Sequence, residues 1–210
     1  MRINRKEAIC DAAAQLFNQK GYDQVSMREI AKHAGTTIGN LTYYFPKKED
    51  IVIQIVSELH EDFQIYLNAE LSGVDLLKDL ILSFKKVEEN EQRFPFYFKN
   101  LNDLVKSSDY FKSKGFDFQI KLYNYYNSCF ITLQNADIIN KEFSAEELRI
   151  LSLSFTAQTA GWLMECMPFY NEGLTPVPIS KNLSVLLKPY IVKDYMDLYQ
   201  ELLDEILSIS

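Results

Sequence analysis

Thr37, Asn40 and Tyr43 fall three residues apart on either side of Gly39, and Lys47 and Lys48 follow directly after Pro46. On a helix, residues at that spacing share one face and present hydrogen-bonding groups together, while ammonium groups beside them can hold phosphates. The chemistry on offer is recognition of a DNA groove, with no bond made or broken. Gly39 sharpens the reading, because a glycine inside a helix costs roughly 0.5–1 kcal/mol relative to alanine. Close approach of the helix to a phosphate or a base edge is a reason to carry that cost. The competing explanation is a helical hairpin with a packing glycine and solvated lysines, and the complete set of residues outweighs it.

Other chemistry is poorly provided for. Cys10, Cys129 and Cys166 are widely separated and form no C-x-x-C pair, so they read as buried thiols. His33 and His60 are not spaced with acids or cysteines as metal ligands, so no metal is expected. With no nucleophile beside a base and no glycine-rich phosphate loop, the expectation is a protein without catalytic residues or cofactor.

The recognition face requires two short helices and a tight turn. Ser26 can cap the first while Glu29 reaches back to its N–H, and Met27, Ile30, Ala31 and Ala34 then fall on one inward face. Gly35 can end that helix in the left-handed conformation. Thr36 or Thr37 can cap the second, whose inward positions are expected to be Ile38, Leu41 and Phe45. This is a helix-turn-helix.

The run GTTIGNLTYYFPKKEDI resembles the recognition-helix signature of the TetR family of bacterial transcriptional regulators. Upstream, Leu16-Phe17, Gly21-Tyr22, Val25 and Ser26 to Ala31 match the family's pattern as well. The resemblance is specific over roughly the first fifty residues and architectural beyond them. It implies an all-α protein, with a helix-turn-helix DNA-binding domain over residues 1–47 and a larger helical domain for effector binding and dimerisation over 48–210. It also implies a DNA-contacting set of Arg5, Ser26, Met27, Arg28, Thr36, Thr37, Ile38, Gly39, Asn40, Thr42, Tyr43, Tyr44, Lys47 and Lys48. Ile38 stands where the family most often has lysine and Thr42 where it often has tyrosine, so base preference does not carry over.

Charge divides along the same boundary. Residues 1–48 hold eight basic and four acidic side chains, a net +4, which leaves −11 for the rest of a chain whose total is −7. A basic head on an acidic body concentrates the attraction for phosphate at one end. No apolar run approaches the roughly 20 residues that span a bilayer, and the charged start MRINRKEAI lacks an apolar signal region. No membrane association is expected, and the expected location is cytoplasmic.

Beyond the head, a helix beginning near Lys47 carries Ile51, Ile55, Leu59, Phe63 and Tyr66 as a stripe. Further helices are predicted over 75–89, 92–105, 110–136, 145–167 and 180–207, the last broken or kinked at Pro189. The resemblance implies that the last two long helices pair with their copies in a homodimer. Aromatic residues are abundant, 14 Phe and 13 Tyr, and at helical spacing they read first as core. A sensing bundle would also hold an apolar cavity, for which Phe96, Phe98, Tyr123, Tyr126, Gln158, Trp162 and Met167 are candidate lining residues. The function expected is a ligand-responsive regulator, most simply a repressor on a palindromic double-stranded operator, released by a small apolar or aromatic effector. The acidic body favours a neutral or cationic effector over an anion. The alternatives are a regulator controlled by a protein partner and, behind it, a helical enzyme using the cavity.

Overall fold

A computed structural model describes residues 5–67, 70–99, 109–175 and 177–207. Helix α1 (Arg5–Lys20) buries Ile9, Cys10, Ala13, Leu16 and Phe17 on one face. Two short helices follow, α2 (Met27–His33) and α3 (Ile38–Tyr44), and then the long α4 (Lys48–Leu67). Next come α5 (Gly73–Arg93), α6 (Pro95–Lys99) and α7 (Asp109–Asn135). The described chain ends with α8 (Ala145–Asn171), α9 (Ile179–Leu187) and α10 (Met196–Leu207). Among the described residues only one backbone bridge is extended, Ile139 antiparallel to Ile191.

There are two cores, and α4 belongs to both. Ile51, Val52, Ile55, Val56 and Leu59 pack with α1 to α3, whereas Phe63, one turn further on, joins the core of the larger body. The two cores therefore divide within α4, between Leu59 and Phe63, because the apolar stripe runs unbroken through the helix. Helix α6 crosses the same divide, since Phe96, Tyr97 and Phe98 belong to the head's core.

The body's core is built on α5, whose Leu77, Leu80, Ile81 and Phe84 are fully buried at helical spacing. Phe84, Tyr126 and Phe130 surround Phe155, with ring centroids 5.6, 5.4 and 5.1 Å from it. Much of the chain's aromatic wealth is thus packing, each such pair adding about 0.5–1.5 kcal/mol beyond burial. Burial also pushes the thiols of Cys10 and Cys129 up to about 12, which keeps both protonated. Cys166 is only half-buried.

Three predicted helices come out differently. The expected 92–105 helix does not continue from α5, because Pro95 disfavours helical backbone at Phe94 and starts α6 instead; residues 100–105 lie outside the described set. The helix expected to end at Met167 runs on to Asn171 through Pro168. The 180–207 helix is two helices separated by short 3-10 turns at Lys188–Tyr190 and Lys193–Tyr195. Pro189 has no N–H to extend α9, and the intervening backbone bonds elsewhere: Asn140 N–H donates to the Tyr190 carbonyl at 2.9 Å and Val192 N–H to the Ile138 carbonyl at 3.0 Å. The stripe of α10 then turns inward. Tyr199, Leu202 and Ile206 are buried in the same chain's core, so they are not free to form a dimer face. Open apolar side chains remain on α8 and α9, where Ile150, Leu153 and Val185 are 52%, 49% and 61% exposed.

Candidate nucleic-acid interface and effector cavity

The capping box at Ser26 forms as its spacing requires. Glu29 N–H donates to Ser26 Oγ at 3.3 Å, and Ser26 N–H donates to Glu29 Oε2 at 2.9 Å. Lys20 Nζ donates to the other oxygen at 3.0 Å. The backbone bond from Ser26, followed by the Lys20 bond, holds the Glu29 carboxyl down at about 2. Ile30 and Ala31 are buried, with Met27 and Ala34 half-buried against the same core. The turn closes at Gly35, whose φ of +63° is the left-handed region that glycine occupies without a Cβ penalty. Thr36 N–H then donates to the Ala31 carbonyl at 2.9 Å. Thr37 caps α3 by accepting from Asn40 N–H at 3.2 Å.

Leu41 and Phe45 anchor α3 in the core, but Ile38 does not join them and is 41% exposed. As the first helical residue its side chain leans back toward the N-terminus, past the neighbouring helices that would cover it. Thr37, Gly39, Asn40 and Tyr43 face solvent, Tyr43 being 81% exposed. A Cβ on Gly39 would meet nothing within 4 Å, so internal packing gives no reason for a glycine there. The Thr42 hydroxyl donates to the Ile38 carbonyl at 3.0 Å and lies 3.2 Å from that of Gly39. Its proton is therefore engaged, leaving acceptor capacity outward. Arg5 borders one shallow hollow with Thr36, Thr37 and Asn40, although it is 31 residues or more away in sequence. Arg28 and Lys47 are exposed, and Tyr44 is half-buried, edge-on to Tyr43 at 5.3 Å.

Lys48 is engaged within the fold. Its Nζ donates to the carbonyls of Tyr22 and Val25 at 2.7 and 3.0 Å and lies 4.2 Å from the centre of the Tyr22 ring. Burial lowers its pKa. The ammonium ties the α1–α2 loop to the start of α4, and only its remaining proton can reach a phosphate. Lys48→Met keeps the stem and removes the ammonium, so we expect a loss of about 2 kcal/mol of stability, the usual worth of hydrogen bonds from a charged donor. Urea unfolding measures it; an unchanged midpoint would leave Lys48 as a surface lysine.

A second feature lies where the cores meet. A cavity of about 610 Å³ is walled by Leu59, Phe63, Tyr97, Phe98, Phe118 and Leu122. His60, Asn90, Gln119 and Thr159 supply polar groups to the same wall. Of the residues expected there, Phe98 is in place. Phe96 instead packs on Phe17 of α1 at 5.1 Å, because Pro95 starts α6 with its first aromatic side toward the head. Tyr126 is fully buried behind the wall, its hydroxyl 2.9 Å from that of Thr159. Gln158 accepts from Asn182 at 3.2 Å, and Trp162 Nε1 donates to the Val177 carbonyl at 3.0 Å, which ties both to the far side of α8. Tyr123 is half-buried and not among the described lining residues. The side chain of Met167 lies outside the described set. Leu59 and Phe63 read as part of the apolar stripe of α4 and His60 only as a histidine without metal partners; the i, i+4 spacing of the first two marks a helix face but not a void beside it.

Asn18 joins the cavity's wall to the head. Its Nδ2 donates to the Arg93 carbonyl at 3.0 Å and its Oδ1 accepts from Phe96 N–H at 3.2 Å, directly before the lining residues Tyr97 and Phe98. Among the described residues no group of His, Cys, Asp and Glu side chains could hold a metal, and no helix is long and apolar enough to cross a membrane.

Comparison with known proteins agrees with this geometry. The family described as bacterial regulatory proteins, tetR family, matches residues 9–55, which spans α1 to the first half of α4. The Probable HTH-type transcriptional regulator YttP of Bacillus subtilis (strain 168) is 36% identical over 74 residues, 35% of this chain and 36% of that protein. The chain thus spans about a third of the length of that curated relative, and between 24% and 53% of further curated regulators. A TetR-family transcriptional regulator from Marinobacter aquaeolei VT8 superposes with a TM-score of 0.80 at 21% identity, covering 97% of this chain and 99% of that one. CprB from Streptomyces coelicolor, solved in complex with its biological operator sequence, gives 0.70 at 15% identity, with 98% of each chain covered. At such identities the structures speak for the fold alone. The helix-turn-helix over residues 9–55 thus matches the tetR family of bacterial regulatory proteins in sequence, and the chain shares its fold with a solved TetR-family regulator along nearly its whole length.

Proposed function

We propose that the protein is a ligand-responsive transcriptional regulator, a repressor that holds a palindromic operator as a homodimer and leaves it when a small apolar or aromatic molecule fills the cavity. The observation that carries this reading is the outer face of α3, where Thr37, Asn40 and Tyr43 flank a glycine that nothing inside the chain requires. A helix of this kind enters the major groove, and Arg5, Arg28 and Lys47 lie on the head to meet phosphates. The operator complex of CprB, which shares the fold, supports the same docking here.

The homodimer is supported by the apolar side chains left open on α8 and α9, which pack against each other in the same chain. A two-fold pair of heads reads two half-sites where one head reads too few base pairs. Release follows from differential binding: an effector that fits one spacing of the heads better than the other lowers operator affinity by that difference. The Asn18 bonds to the α5–α6 junction give the cavity a path to α1.

Selection of bound duplexes from a random library tests the reading. We expect a palindrome with half-sites about 10 bp apart or a multiple of that, and binding that falls with salt by a log–log slope of about −0.9 per phosphate neutralised. No enriched sequence from folded protein at moderate salt would remove the regulator reading.

A further inference from the structure

The cavity's wall has a definite electrostatic character. Among its described lining residues none is Lys or Arg, and Asp109, at the exposed start of α7, is the one carboxylate. The other polar groups are amides and hydroxyls, together with His60. The His60 ring is stacked on Phe118, with centroids 3.9 Å apart and 11° between the planes. Burial first, and the nearby Lys121 second, push its pKa down to about 4, so at neutral pH it is an uncharged imidazole with one donor and one acceptor. Lys121 itself is exposed and not among the described lining residues.

An anion entering this space would lose hydration with no cation among the described lining residues to replace it, and the Asp109 carboxylate would add repulsion. An uncharged molecule loses far less and gains contact with Leu59, Phe63, Phe98 and Leu122. The volume of about 610 Å³ suits a molecule of ordinary drug-like size. We propose that the cavity takes an uncharged, largely apolar molecule with at most a neutral hydrogen-bonding group for Asn90 or His60, and that it refuses organic anions of the same shape. The proposal rests on the cavity being the effector site of the regulator reading, but its test involves no DNA.

N-phenyl-1-naphthylamine and 1-anilinonaphthalene-8-sulfonate share a skeleton, differ by one sulfonate, and both brighten in apolar surroundings. Titrated into the full-length protein at neutral pH, the neutral dye should bind at least about tenfold more tightly than the sulfonate. Gln119→Arg places a guanidinium on the wall and should strengthen the sulfonate about tenfold with little change in the neutral dye. Ala160→Phe fills part of the space and should weaken both. Circular dichroism checks that each variant remains helical. Equal affinity of the unaltered protein for the two dyes would overturn the proposal, as would dye binding indifferent to both substitutions. Failure here leaves the operator reading standing, and an empty operator selection leaves this one standing.

Discussion

Gly39→Val should reduce operator affinity by at least about 100-fold, roughly 3 kcal/mol, while leaving the fold intact. Space inside the chain is not the obstacle, since a Cβ at residue 39 meets nothing within 4 Å. Valine is also a somewhat better helix residue than glycine, so the head's stability should hold or rise by a few tenths of a kcal/mol. The loss would arise wholly between molecules, from two methyl groups standing where the proposed helix face meets a phosphate or a base edge. Gly39→Ala should fall between, because one methyl demands less clearance. Fluorescence anisotropy on the selected operator gives the affinities, and unfolding curves give the control. If the valine variant bound within twofold of the unaltered protein, α3 would not be the docking element, however well its surface suits that role.

The second large effect concerns pH. His60 is neutral in the folded chain with its pKa pushed down to about 4, whereas an unfolded histidine titrates near 6.5. Below pH 6.5 the unfolded chain takes up a proton that the folded chain refuses, so stability must fall as the pH falls through the window between the two values. Each unit in that window costs about 1.4 kcal/mol, so the contribution lost by pH 5 is about 2 kcal/mol. His60→Phe keeps a ring against Phe118 and removes the titration. Relative to the unaltered protein, this variant should gain about 2 kcal/mol between pH 7 and pH 5. Carboxylates such as Glu29, whose pKa is depressed, lose their contribution at lower pH in both proteins and cancel in the comparison. Parallel stability-versus-pH curves for the two proteins would show that His60 is not held neutral by the core.

Much of the interface was legible because its determinants are local. Ser26 and Glu29 are three residues apart, Gly35 needs only its own backbone conformation, and Thr37 caps the N–H of Asn40. Such signals depend on chain geometry within one or two turns, which the sequence carries whatever surrounds it. The same holds for the apolar stripe of α4 and the helical character of the body. Tertiary structure decided which surface each stripe meets. Lys48 read only as a phosphate ligand, whereas the fold also brings the carbonyls of Tyr22 and Val25, more than twenty residues upstream, to its ammonium. The α10 stripe, equally suited to a partner, closed the chain's own core once Pro189 freed it to turn back. The cavity was the least legible feature: an apolar residue at helical spacing reads the same whether it packs against a neighbour or borders a void. Only the placement of α4, α6 and α7 in space left room beside Leu59, Phe98 and Leu122, because burial is a property of what faces a residue and periodicity is a property of the chain alone.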